Sequence, residues 1–201
     1  MRYTLILLLT IVGLFGCQPK EASKPSQASI EATYLKDPLI LPIAKEYYQG
    51  KKPAETPQTL DMLDSLFIQD SLRLRFYFAA TTKLISQPMS FRDIVSIYAF
   101  KFVRDRPLMF IAQFTEENPL INSNDAWSVW CLNIAYEAMQ KNPDDPFSEL
   151  NAIETSMKNR FRTVSVNAME MGGTFIENTR AKIIKLQHDQ KQDLAPKKEG
   201  E

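Results

Sequence analysis

The chain has little glycine, a single histidine, two cysteines and no excess charge of either sign. Each shortage removes a class of explanation. None of the six glycines follows asparagine or aspartate, and no run alternates apolar with polar residues as a half-buried strand does. Hairpin-built sheet folds therefore have no support, and neither does a glycine-rich phosphate loop. The one histidine, His188, sits in a polar C-terminal turn with Lys185, Gln187 and Asp189. A hydrolytic triad needs an oriented base and a zinc site needs several ligands, so no catalytic residue, metal or cofactor is assigned. Lys+Arg and Asp+Glu both number 24, which leaves no electrostatic footprint for nucleic acid. No apolar run reaches the roughly 20 residues a helix needs to cross a bilayer.

The N-terminus carries a shorter apolar run. Arg2 precedes residues 5–15, which are apolar except for Thr10 and Gly13, and Gly16-Cys17 follows. A basic start, a short apolar core and a small residue at the cut form the layout of a signal peptide. Leu14, Gly16 and Cys17 stand as in the lipobox of bacterial lipoproteins, which this ending resembles; Phe15 replaces the smaller residue usual at its place. The resemblance covers residues 1–17 and no more. It implies that residues 1–16 are removed, that Cys17 becomes the lipidated first residue, and that the protein belongs to the cell envelope. Gln18, rather than aspartate, follows the cysteine, which by the same resemblance favours the outer membrane in a Gram-negative cell. One acyl chain binds membranes marginally, whereas two or more anchor stably.

Behind the anchor, residues 17–29 read as a polar, flexible tether with Pro19 and Pro25. Residues 30–56 read as an extended arm with one short helix from Pro42, stopped at Gly50. From 57 to 188 the spacing is helical. Thr56-Pro57, Asp70-Ser71, Ser90 with Asp93, Asn124 or Ser123, and Asp145-Pro146 mark helix starts. The faces they open include Leu60, Leu63 and Phe67; Leu72, Phe76 and Ala80; Phe91, Val95 and Phe102, with Ile97 and Phe100 as a second stripe; Trp127, Trp130, Cys131 and Ile134; and Leu150, Ile153, Met157 and Phe161. A last helix carries Met169, Ile176 and Ile183, and Gly172-Gly173 either kinks it or admits a close neighbour. Residues 189–201 read as a disordered tail. The expectation is a single all-α bundle of six or seven helices. Starts at Pro57, Phe91 and Asp125 repeat every 34 residues, the tetratricopeptide period, but the pattern fades after the first unit. An orthogonal bundle is preferred.

Several residues invite a functional reading. Asp144-Asp145 and Glu116-Glu117 are adjacent acids, but calcium or glycosidase chemistry needs carboxylates converging across a cleft. Arg73, Arg75, Lys101, Arg104 and Arg106 interleave with phenylalanines; helix periodicity turns the rings inward and the cations outward. Arg104 and Arg106 remain candidates for gripping an acidic partner. Trp127 and Trp130, and Met169 with Met171, suit either core packing or a binding surface. The leading expectation is an envelope protein that works by binding another protein, as an assembly factor, accessory subunit or inhibitor, and is not clearly an enzyme. An envelope hydrolase built on converging carboxylates, or a small-ligand carrier, are the alternatives. With Cys17 modified, Cys131 has no partner and is expected to be hidden. Metabolic labelling with an alkyne palmitate analogue is expected to mark the wild-type protein and to leave a Cys17→Ser variant unmarked.

Overall fold

Proline and capping residues set the element boundaries. A computed structural model describes residues 26–116, 118–162 and 165–193. Residues 1–25, which include the stretch read as a signal peptide, Cys17 and most of the stretch read as a tether, lie outside them, as do Glu117, residues 163–164 and residues 194–201. Nine helices and no strand occur among the described residues: α1 (Gln27–Lys36), α2 (Pro42–Tyr48), α3 (Pro57–Ile68), α4 (Ser71–Ile85), α5 (Arg92–Asp105), α6 (Pro107–Thr115), α7 (Ser123–Lys141), α8 (Pro146–Phe161) and α9 (Val166–Asp193). The protein is all-α. The count exceeds the expected six or seven because α1 and α2 precede the seven helices found from residue 57 onward. α1 spans the end of the stretch read as a tether and the first residues of the one read as an extended arm, and α9 continues past 188 to Asp193.

Local chemistry explains most of the starts. The side chains of Thr56, Asp70 and Asp145 accept hydrogen bonds from the first free N–H groups of α3, α4 and α8, and proline opens α3 and α8. Two starts differ from expectation. α7 is capped by Asn122, not Ser123 or Asn124, because its carboxamide reaches the N–H groups of both Asn124 and Asp125. α5 makes no side-chain cap at all; its N-terminal flank is Phe91, which is buried, so hydrophobic contact anchors that end where the Ser90–Asp93 box was expected. Gly50, at φ +90°, adopts the left-handed conformation after α2 that favours glycine.

The core centres on rings. Trp130 of α7 stacks on Phe78 of α4 with centroids 4.7 Å apart and planes 6° from parallel. Its indole Nε1 donates to Thr82 Oγ1 at 2.8 Å, and that hydroxyl donates to the Phe78 carbonyl at 2.8 Å. Phe102 of α5 and Phe110 of α6 pack on the same indole, and Phe110 meets Phe175 of α9 at 4.7 Å. Five helices thus share one aromatic cluster. Such pairs add about 0.5–1.5 kcal/mol each beyond their burial. Cys131, next to Trp130, is buried, and burial pushes its thiol up to about 11. Not every apolar residue placed on these faces goes inside: Leu72, Ile97 and Met169 are exposed. Ile97 is turned away from the face that carries Val95, Ala99 and Phe102.

α8 and α9 are joined by packing and by charge. Arg180 reaches Glu154 and Asn151 across the pair, each at 2.7 Å, and Glu177 on its own helix. Gly172 lets Phe161 approach: a Cβ added there would lie 2.6 Å from the ring's Cε2. A Cβ at Gly173 would meet nothing within 4 Å. α9 stays one helix through both glycines, so close approach, rather than a kink, is the role of the first. Adjacent alanine substitutions should therefore act in opposite directions. Gly172→Ala is expected to lower stability by about 1–3 kcal/mol through overpacking. Gly173→Ala is expected to raise it by about 0.5–1 kcal/mol through helix propensity. Urea unfolding of the two variants checks both.

A polar seam crosses α5, α7 and α8. Ser96 Oγ donates to Asn133 Oδ1 at 3.0 Å, while Asn133 Nδ2 is buried without a partner. One turn further on α7, Glu137 is buried. Burial raises its carboxyl pKa; Lys141 opposes the rise, and Asp93 and Glu149 add to it. A raised folded-state value means this group favours folding below its unfolded pKa, and the contribution is lost as pH rises through the folded value. Glu137→Gln should remove that slope and raise stability at neutral pH relative to wild type. Urea midpoints measured from acid to neutral pH check it.

Candidate functional site

The first turn of α7 and the first turns of α9 flank the outer side of α6, and an open groove lies between them. Its floor is aromatic. Phe114 of α6 meets Trp127 of α7 edge to face at 4.9 Å, and Trp127 meets Phe175 of α9 at 5.3 Å in the same geometry. The indole is thus fixed from both sides while part of it stays exposed. Asn124 from α7, and Asn167, Glu170 and Met171 from α9, form the walls of a space of about 440 Å³. Asn167 also borders a second space of about 330 Å³ against Leu108, Met109 and Ala112 of α6. Asn167 is the residue that the two spaces share. Solvent reaches the border at Met109, which is 37% exposed, while Met171 of α9 lines the wall opposite Trp127.

The groove keeps its shape through a buried amide. Asn118 Nδ2 donates to the Arg75 carbonyl at 3.0 Å and to Gln113 Oε1 at 3.1 Å. Its Oδ1 accepts from the Leu120 N–H at 3.1 Å. These bonds hold the loop between α6 and α7 against α4, and so fix where α7 begins. Asn118 and Gln113 are both buried, and mutual pairing offsets their desolvation. Glu116, beside the second space, is engaged by Arg75 at 2.8 Å.

The residues singled out from the sequence separate into different roles. Arg106 donates to the Leu66 carbonyl at 2.9 Å and closes the C-terminal end of α3. Arg104 pairs with Asp105 at 2.8 Å. The hydrogen bond from Arg104 lowers the Asp105 carboxyl pKa, and that carboxylate raises the guanidinium in turn. Neither arginine belongs to the groove. Arg73 is bonded to Asp37 and Asp70, Arg75 to Glu116, and Lys101 lies over the Phe67 ring. Asp145 is a helix cap, and Asp144 lies beside it in the loop. His188 is exposed on α9. Trp130 belongs to the core and Trp127 to the groove, so a pair of like residues three apart divides between packing and surface.

Among the described residues no group of three histidine, cysteine or carboxylate side chains is placed to hold a metal ion. Among the same residues no helix is long and apolar enough to cross a membrane. The groove offers apolar and π surface, amides and two rim carboxylates, Glu170 and the Arg75-paired Glu116, a chemistry for holding a ligand. Sequence reasoning missed Phe114 and Asn167 as lining residues. Of the methionine pair singled out on α9, Met171 lines the groove, while Met169 is exposed and lines neither space. Comparisons with protein-family models, with curated proteins and with solved structures find no match to this chain.

Proposed function

We propose that the chain is a lipid-anchored protein of the cell envelope, held by acyl chains on Cys17, that acts by binding another protein. An assembly factor, an accessory subunit or an inhibitor fits this reading, and the residue after the cysteine favours the outer membrane. The observation that carries the binding assignment is the groove between α6, α7 and α9, floored by Trp127 and Phe114 and lined by Met109 and Met171. Large apolar side chains gathered in one place on a surface are a common mark of an interaction site. Methionine adapts to irregular apolar partners. The partner segment that suits this groove is apolar, with amide or hydroxyl groups for Asn124 and Asn167.

For the architecture we favour an orthogonal bundle over a tetratricopeptide-like array. In an array each repeat meets its sequence neighbours alone. Here Trp130 gathers rings from α4, α5 and α6, and α7 packs on α9 and α8 as well.

The test uses the lipidated full chain purified from its own envelope, beside the double variant Met109→Glu with Asn167→Glu, two exposed positions that line the groove. Wild type is expected to bring down a protein that the variant loses by about tenfold, equivalent to about 1.4 kcal/mol. The unfolding midpoint should not change, since both side chains are exposed. Equal recovery with both forms, or a small molecule in place of a protein, contradicts the reading.

A further inference from the structure

Among the described residues, the ten of α1 include none that is buried, whereas the seven of α2 bury Ala44, Tyr47 and Tyr48. It lies antiparallel along α4. Asp37, just past its end, bonds Arg73 at 3.2 Å, and Tyr34 OH donates to the Leu72 carbonyl at 3.1 Å. The Tyr34 ring stacks on Phe76 at 5.7 Å. At its other end, Gln27 and Glu31 face Lys83 and Gln87 across a space of about 570 Å³. On the opposite flank, Ile30 and Tyr34 face Leu72 and Arg73 across a space of about 350 Å³. A well-seated helix interlocks with its neighbour at native packing density; α1 leaves room on both sides.

The surface under α1 is better formed than the helix upon it. Phe76 is fully buried and packs on Tyr48 at 5.0 Å. Arg73 also bonds Asp70, so Asp37 is not its sole carboxylate. Beside the end of α1, Leu72 in the first turn of α4 is 67% exposed, and Ile68 at the end of α3 is 75% exposed. Apolar side chains on either side of the α3–α4 junction are therefore left open to water. The hinge is held independently: the Leu41 N–H donates to Tyr77 OH at 2.9 Å, and Ile40 is buried. Release of α1 need not disturb α2.

We propose that α1 is a displaceable strap, and that the face of α4 it covers accepts an amphipathic helix from a partner protein. α1 itself defines the pattern: an aliphatic residue, an aromatic four positions later and a carboxylate three beyond that, as in Ile30, Tyr34 and Asp37. The partner helix pairs its carboxylate with Arg73 and, being longer, covers Leu72 and Ile68. The strap competes as an intramolecular ligand at high effective concentration, so the face opens to partners whose contacts exceed those of α1. This site is separate from the α6–α7–α9 groove and does not depend on lipidation.

The test uses the full chain, with Tyr34→Ala as the loosened strap and Tyr34→Phe as a control that keeps the ring. Hydrogen–deuterium exchange in wild type is expected to show α1 amides exchanging well ahead of those of α2 and α4. A fluorescent synthetic peptide of residues 26–41 is the probe. It should bind Tyr34→Ala about tenfold more tightly than wild type or Tyr34→Phe. Adding Arg73→Glu to Tyr34→Ala should abolish that gain, with circular dichroism reporting that the fold persists. Exchange of α1 in step with α4, or equal peptide affinity for all forms, overturns the proposal. A dimer formed by exchange of α1 between two copies, seen as a doubled mass in light scattering, overturns the assignment to a separate partner.

Discussion

The contact between Trp130, Phe78 and Thr82 is the constraint on which the rest of the structure depends. A buried indole N–H left unpaired costs about 1–3 kcal/mol. Here it is met by a hydroxyl whose own proton returns to the backbone of the helix bearing the stacked ring. That closed arrangement fixes the rotation of α7 against α4. Phe102 and Phe110 then pack on the same indole, and Phe175 follows through Phe110. The groove inherits its geometry from this cluster. Trp127 lies one turn before Trp130 on nearly the same face of α7, so the rotation that buries Trp130 leaves Trp127 at the border of that face, partly covered by the core. Phe114 and Phe175, which belong to the core, serve as its supports.

Much of the fold could be read from local chemistry. Thr56-Pro57 and Asp145-Pro146 carry a cap and a first-turn proline in adjacent positions, and both start helices. The buried face of α8, from Leu150 to Phe161, follows from its spacing alone. What escaped the sequence depends on partners distant in the chain. Ser90 and Asp93 form a plausible capping box, yet burial of Phe91 decides where α5 begins. Ile97 looks like part of a second apolar stripe, yet no neighbouring helix arrives to cover it. α1 was hidden because none of its residues is fully buried and its apolar stripe is short, Ile30, Tyr34 and Leu35, too few for hydrophobic periodicity to reveal. Ser26 at its cap and the helix-forming Ala28, Glu31 and Ala32 were the available signals.

The site was legible in part for the same reason. Arg104 and Arg106 carry charge in a cluster, but each is spent on a nearby acceptor, Asp105 in one case and the end of α3 in the other. Charge counted along a sequence does not distinguish a free cation from one that closes a helix. The groove instead unites residues from 108 to 174 that no linear motif connects. Its character is apolar contact with a few directional amides, which agrees with a protein that holds a partner rather than transforms a substrate. The lipid anchor proposed at Cys17 adds a restriction of a different kind: it confines such a partner to the same membrane surface, where a modest affinity suffices.

The account stands on the shared aromatic core, and Thr82→Val addresses it most directly. Valine keeps the shape of threonine and removes the acceptor for Trp130. Urea unfolding would be followed by far-ultraviolet circular dichroism and by the fluorescence of Trp127 and Trp130, the two tryptophans of the chain. The account predicts a loss of about 1–3 kcal/mol with both signals moving together in one transition. An unchanged midpoint, or a fluorescence transition that departs from the loss of helix, would contradict it.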